Sequence, residues 1–349
     1  VNINSKFRAI SAALLVGVIS GSAGGCYLWE SARGQLAVMS KREPIARVVD
    51  ARSTPPALRA QLEAVTSIRN FASRDLKLPD NGSYRSYADI GRPYVVWNVV
   101  AAPEFSVDAT EWCFPIVGCV AYRGYFSEAK ARAFAAQLHA RGQDVAVGGV
   151  AAYSTLGHFD DPILNTMVGW NDVELAAIVF HELSHQLIYV SGDTSFDEAF
   201  ATTVEEEGVR RWLRAQGRDA DLAARVRQQE HYLAVIDLLR RTRARLRGQY
   251  ASGTDPAALR QVKRGEFDAL REAYARLTSG WPDAPFKSWF AGEMNNAHLA
   301  SVANYYDCVP GFERELAATG GDLDAFYRRV RELAKKDQQT RDAAVCPGP

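Results

Sequence analysis

The run AAIVFHELSHQLIYV, Ala176 to Val190, constrains the fold more than any other stretch of the chain. Just upstream, Asn171 is followed three residues later by Glu174, the pattern of a helix N-cap with its reciprocal acidic partner, so a helix begins there. The helix is apolar-periodic, yet it carries two of the six histidines and a glutamate in the order H-E-x-x-H: His181, Glu182 and His185. Four residues apart, both imidazoles project from one face and can bind a single ion. Glu182 lies one position round, within reach of a metal-bound water without being a ligand. Two histidines make only part of a catalytic tetrahedron, so the fold must bring a third ligand from elsewhere and leave a position open for water.

The segment SFDEAFATTVEEE offers that ligand. Glu198 lies thirteen positions past His185 and Glu205 twenty, and the two are seven residues apart, about two turns on one side of a helix. Both remain open on spacing alone. The competing reading is a pair of satisfied histidines on an amphipathic helix, with Glu198 an ordinary capping residue after Ser195. The intervening Glu182 and the second acidic helix weigh against it, so Zn2+ is the expected cofactor. Zinc held in this way lowers the pKa of its water to near 7. Glu182 then serves as general base and returns the proton to the leaving amine.

The N-terminus reads as an export signal. Lys6 and Arg8 precede an apolar run from Ile10 to Ile19, then small residues and Cys26. Ala23, Gly24, Gly25 and Cys26 resemble a bacterial lipobox, which implies lipidation of Cys26 and a periplasm-facing, lipid-anchored place in the bacterial cell envelope. In that compartment disulfides persist. Cys113 and Cys119 flank FPIVG, whose Pro115 and Gly118 suit a tight loop, so these two pair locally and Cys308 is left with Cys346.

Forty-one basic side chains balance forty-one acidic ones, so no global field draws the chain to nucleic acid. The arginine-rich stretch from Val209 to Arg247 interleaves Leu222, Val226, Leu233, Ile236 and Leu239 at helical period and reads as a solvated helical hairpin. Two helical segments are expected at Trp29 to Asp50 and Pro55 to Leu76, with Leu58, Leu62, Val65 and Ile68 on the buried face. Strand-like runs follow at Tyr94–Val100, Gly118–Phe126 and Asp144–Tyr153, with a helix near Ser127–Arg141 before the last. Gly148 and Gly149 suggest a bulge or a close approach. The fold class is α+β, predominantly helical, with a small mixed or antiparallel N-terminal sheet and a helical C-terminal part. The expected organisation is a signal peptide with lipobox at 1–25, a helical segment at 26–80, and a catalytic domain at 81–349. Within that domain the sheet spans 90–155, the zinc helices 171–207 and the helical C-terminal part 208–349.

HELSHQ followed by DEAFATTVE resembles the paired active-site helices of gluzincin metallopeptidases, particularly the aminopeptidase N type, with Asp197 where that pattern has Asn. The resemblance places Glu198, rather than Glu205, as the third ligand. SYADIGRPYVVWNVVAAPEFS, WCFPIVGCVAYRGYF, AYSTLGHFDDPIL, FDEAFA and NNAHLASVANYYDCVPGFE, with the Cys26 region, are similar to a family of bacterial lipoproteins described as predicted zinc aminopeptidases. It implies a zinc peptidase acting on peptide substrates. In gluzincins a later Tyr or His commonly stabilises the oxyanion, which implies Tyr305, with Tyr306 and His298 as alternatives. Such enzymes bind the peptide backbone along an edge strand, and GGVAAYSTLG fits, with Tyr153 and Ser154 as its contacts. Asn295 and Asn296 are further substrate-binding candidates. An aminopeptidase also needs a carboxylate for the free amine, for which Asp160, Asp161 and Glu206 are available. Two other readings stand beside this one: an endopeptidase, and a lipid-anchored zinc-binding envelope assembly or binding factor without turnover.

Overall fold

The computed structural model describes residues 23–114, 118–152, 154–302 and 308–346. Helix α1 (Ala23–Met39) stops short of the expected Asp50, because Pro44 cannot continue a helix. Pro44 lies in a two-residue strand β1 (Glu43–Pro44), and a separate short helix α2 (Ile45–Asp50) follows. Helix α3 (Pro56–Arg74) opens with proline in its first turn, where the missing N–H costs nothing. Its Leu62, Val65 and Ile68 are fully buried as their spacing requires, with Leu58 partly buried beside them.

The β structure is split into three small sheets. Strand β2 (Ser86–Ala88) pairs antiparallel with β1 and parallel with β8 (Ile163–Leu164). The longest strand, β3 (Val96–Pro103), lies between β6 (Arg123–Tyr125) and β7 (Gln143–Val150), both antiparallel to it. Strands β4 (Trp112–Phe114) and β5 (Gly118–Val120) form a hairpin closed by the Cys113–Cys119 disulfide. The single strand expected over Gly118–Phe126 is thus two. The β3/β7 register runs unbroken through Gly148 and Gly149, so there is no bulge. Gly149 instead admits a side chain: a Cβ there would lie 2.3 Å from the Tyr94 ring. Helix α4 (Glu128–His139) covers this sheet with Ala131 and Leu138.

Beyond residue 171 the chain is helical. Helix α5 (Asp172–Leu187) carries the H-E-x-x-H run, and α6 (Thr194–Ala215) carries the acidic segment. Next come α7 (Asp219–Tyr250), α8 (Pro256–Leu277), α9 (Lys287–Ala291) and α10 (Asn296–Ser301). The C-terminal part is α11 (Val309–Ala318), α12 (Leu323–Ala334) and α13 (Gln338–Val345). The arginine-rich stretch divides at Gly217 between α6 and α7, and the hairpin it was expected to form on its own is made by α7 with α8.

One core joins α3, α5, α6 and α11–α13. A second joins α7, α8 and α10, and a third lies between α4 and the β3 sheet. The predominantly helical α+β architecture is the one expected. No helix among the described residues is long and apolar enough to cross a membrane. A second disulfide, Cys308–Cys346, ties the start of α11 to the end of α13.

Candidate metal centre

Helix α5 is fixed at its start by the capping box read from the sequence. The Asn171 side chain accepts the Glu174 N–H at 2.9 Å, and the Glu174 carboxylate accepts the Asn171 N–H at 2.9 Å. Leu175, Ala176, Val179, Phe180 and Leu183 then sink the helix into the main core, leaving His181 and His185 on the face toward α6. Asp193, rather than Ser195, caps α6 by accepting the Phe196 N–H at 3.1 Å. Glu198 is therefore inside the helix and not at its cap. Helix α6 runs back along α5, so that His185 and His181 both face Glu198, while Glu205 reaches only His181.

His181 Nε2 and His185 Nε2 are 3.2 Å apart. Glu198 places Oε2 3.3 Å from the first and Oε1 3.8 Å from the second. Two nitrogens each about 2.0–2.1 Å from a tetrahedral zinc ion would be about 3.3–3.4 Å apart, so these three groups outline one face of such a polyhedron. Their donor atoms all lie within 4.8 Å of one another, and two imidazoles with one carboxylate is a donor set suited to zinc with one position left open. These residues fit the ion.

The surroundings set the protonation states. Burial opposes a charge on His181, but the bonds to Glu198 and Glu205 outweigh it and hold its pKa well above the ordinary histidine value. Burial, reinforced by the His181 charge, drives His185 down to about 4. Burial also lifts Glu182 to about 7; His181 opposes that shift while Glu198 and Asp161 add to it. The His185 Nδ1 atom is buried without a hydrogen-bond partner. Glu205, the alternative ligand on spacing, has another place. Its Oε2 is 3.0 Å from His181 Nδ1, on the far side of the ring from the ligand cluster. A carboxylate there fixes the tautomer that leaves Nε2 free for an ion. Asp197 is 2% exposed and accepts the Val190 N–H at 2.8 Å. Burial raises its pKa to about 8.

The remaining expected residues divide. Tyr153, Tyr305 and Tyr306 lie outside the described residues, and so does the side chain of Cys26. Strand β7 is an edge of its sheet, but Ser154 lies beyond its end, where its hydroxyl accepts the Leu156 N–H at 3.0 Å. Asn295 and Asn296 are spent inside the fold. Asn295 donates to the Val145 carbonyl at 3.0 Å and accepts the Ala297 N–H, while fully buried Asn296 donates to the Glu104 carbonyl at 2.9 Å. His298 belongs to the cap of α10, with Nδ1 3.1 Å from Asn295 Oδ1. Among the carboxylates considered for an amine, Asp161 is buried and accepts the Thr155 N–H at 2.7 Å, Glu206 is paired with Arg225 at 2.8 Å, and Asp160 is exposed.

Tyrosines supply what sequence reading missed. Tyr122 is partly exposed, yet burial and the charges of Glu198, Tyr189 and Glu182 push its pKa up to about 12. Tyr84 is fully enclosed in the left-handed region at φ 60°, and burial, then Glu182 and Asp161, raise its pKa. Neither lies in a spacing pattern with the H-E-x-x-H run, so no sequence signal marked them. No curated protein and no solved structure matches the chain. The family model described as "Putative aminopeptidase" does match it, over residues 26–345, and the chain belongs to that family.

Proposed function

We propose that this protein is a zinc-dependent metallopeptidase of gluzincin-like design that removes residues from the free N-terminus of peptides. The observation that carries the reading is the cluster of His181 Nε2 and His185 Nε2, 3.2 Å apart, with the two Glu198 oxygens 3.3 and 3.8 Å from them, on the same helix pair as Glu182. Zinc, when bound, supplies Lewis acidity toward a peptide carbonyl and toward water. Glu182 takes the proton of the attacking water and delivers it to the leaving amine, a role that its elevated pKa of about 7 suits. Glu205 holds His181 by its Nδ1, keeping Nε2 turned toward Glu198. Tyr305 is proposed as the donor to the oxyanion, and Tyr153 and Ser154 as contacts of the peptide backbone. The exopeptidase assignment rests on membership of the aminopeptidase family. Anchoring to the envelope through a lipidated Cys26 is part of the same proposal and is tested by membrane fractionation of Cys26→Ser cells.

Metal analysis of the purified protein and assays on a peptide library with free and acetylated N-termini test the activity. One zinc per chain and cleavage of free N-termini alone are expected. His181→Ala, His185→Ala and Glu198→Ala should each lose the metal, whereas Glu182→Gln should keep it and lose turnover. Cleavage of acetylated peptides would make the protein an endopeptidase. Zinc without any cleavage would make it a binding factor.

A further inference from the structure

The metal cluster is buttressed from a third helix. The Arg225 guanidinium, on α7, places Nη2 2.6 Å from Glu205 Oε1 and 2.8 Å from Glu206 Oε1. Glu205 extends its other oxygen to His181 Nδ1 at 3.0 Å. Arg225 and Glu205 are each about one-sixth exposed, at 15% and 16%. The third acid of the run, Glu207, has its own partners in Arg210 and Arg211. Among the described ion pairs, Arg225 is thus the one partner shared by Glu205 and Glu206, with His181 on the other oxygen of Glu205.

We propose that Arg225 is a positioning residue of the metal centre, acting through Glu205 to fix the His181 ring and thereby coupling metal affinity to the packing of α7 on α6. The proposal rests on the metallopeptidase reading above. Its physical basis is that Glu205 and Glu206 are adjacent carboxylates in a site with little water to screen them. With the guanidinium between them, Glu205 is drawn into the one place from which it can reach both Arg225 and His181. Without it, the two carboxylates repel, Glu205 turns toward solvent, and the imidazole loses the acceptor that orients it. Outer partners of this kind typically affect metal affinity by about 10–100-fold. A single nitrogen, Nη2, serves both carboxylates, so a lysine at the same position would restore the charge but bring its ammonium to that point on a shorter stem.

The test is the zinc affinity of the full purified chain, measured by competition with a chromogenic chelator. It is combined with the visible spectrum of the cobalt-substituted protein, which reports ligand geometry, and with the melting temperature of the metal-free protein. Arg225→Met should weaken zinc by about 10–100-fold and alter the cobalt spectrum. Arg225→Lys should fall between that variant and the parent. The double variant Arg225→Met/Glu206→Gln should recover part of the affinity, because the repelling carboxylate is gone, and this rescue separates positioning from a merely structural role. Parental zinc affinity and an unchanged cobalt spectrum in Arg225→Met would overturn the proposal. So would an affinity loss that Glu206→Gln does not relieve and that follows the melting temperature. If the parent protein itself binds no zinc while remaining folded, the metallopeptidase reading fails first and the positioning role with it.

Discussion

Glu182 is where one side chain's environment sets a measurable property of the enzyme. Burial raises its pKa to about 7, so in the metal-free site it is close to half ionised at neutral pH. Only the carboxylate can take a proton, so kcat/KM should fall as pH drops through this value and rise to a plateau above it. A bound cation favours the carboxylate and moves the midpoint down. The acid limb is therefore expected at or below about pH 7, and pH–rate profiles at constant zinc check it. A kcat/KM that rose as pH fell below about 7 would exclude Glu182 as the titrating base. At this scale the sequence was readable wherever the relation is local. Asn171 and Glu174 of the box are three positions apart, and His181 and His185 are a turn apart. Glu198 and Glu205 could not be separated by spacing, because both lie on one side of α6. Only the way α6 crosses α5 puts Glu198 against both histidines and Glu205 behind His181. Arg225 was invisible for another reason: nothing distinguishes it from the other arginines of α7 until that helix packs.

Helices α5 and α6 can come this close because of Gly208. A Cβ at that position would meet Leu76 at 2.7 Å and the Phe180 ring at 2.8 Å, and both of those side chains are fully buried. Gly208→Ala should gain about 1 kcal/mol of helix propensity, against overpacking of about 1–3 kcal/mol. Neither obstructing group can swing into solvent, so overpacking wins. A net loss of up to about 2 kcal/mol is expected in urea unfolding, with weaker zinc binding because Phe180 immediately precedes His181. Gly248→Ala is the control. It is exposed on α7 with nothing within 4 Å of the added carbon, so propensity alone should stabilise the protein by about 0.5–1 kcal/mol. Equal effects of the two substitutions would remove close approach as the explanation. Helix α7 also marks where periodicity misleads. Of the apolar residues that recur along it at helical period, Ile236 and Leu239 are in the core, but Val226 and Leu233 are exposed. With 32 residues, α7 outruns its 22-residue partner α8, and the apolar pattern continues past it.

Over the whole molecule, the C-terminus is fastened back onto the helix that carries Glu198. Arg341 of α13 pairs with Asp193 at 2.7 Å, both nearly buried, and Asp193 is the cap of α6. Five residues on, Cys346 is joined to Cys308 at the head of α11. That disulfide was reachable from the sequence, because setting Cys26 aside and pairing Cys113 with Cys119 leaves two others to join. The Arg341–Asp193 pair, 148 residues apart, had no such signal. The two cysteines are 38 positions apart, and closing a loop of that length removes unfolded-state entropy worth about 4 kcal/mol at 25 °C. The double variant Cys308→Ser/Cys346→Ser should therefore lose up to about 4 kcal/mol in urea unfolding. The loss should be confined to stability while Arg341 still holds Asp193, so zinc affinity under native conditions should be nearly unchanged. Adding Arg341→Met strips the buried partner of Asp193, at a cost of about 3–5 kcal/mol for the carboxylate left unpaired. The cap of α6 should then loosen and zinc affinity fall with it. If opening the disulfide alone released zinc from a protein that remained folded, the link from the C-terminus to the metal site would run through Cys308 and α11, and not through Arg341 and the cap of α6.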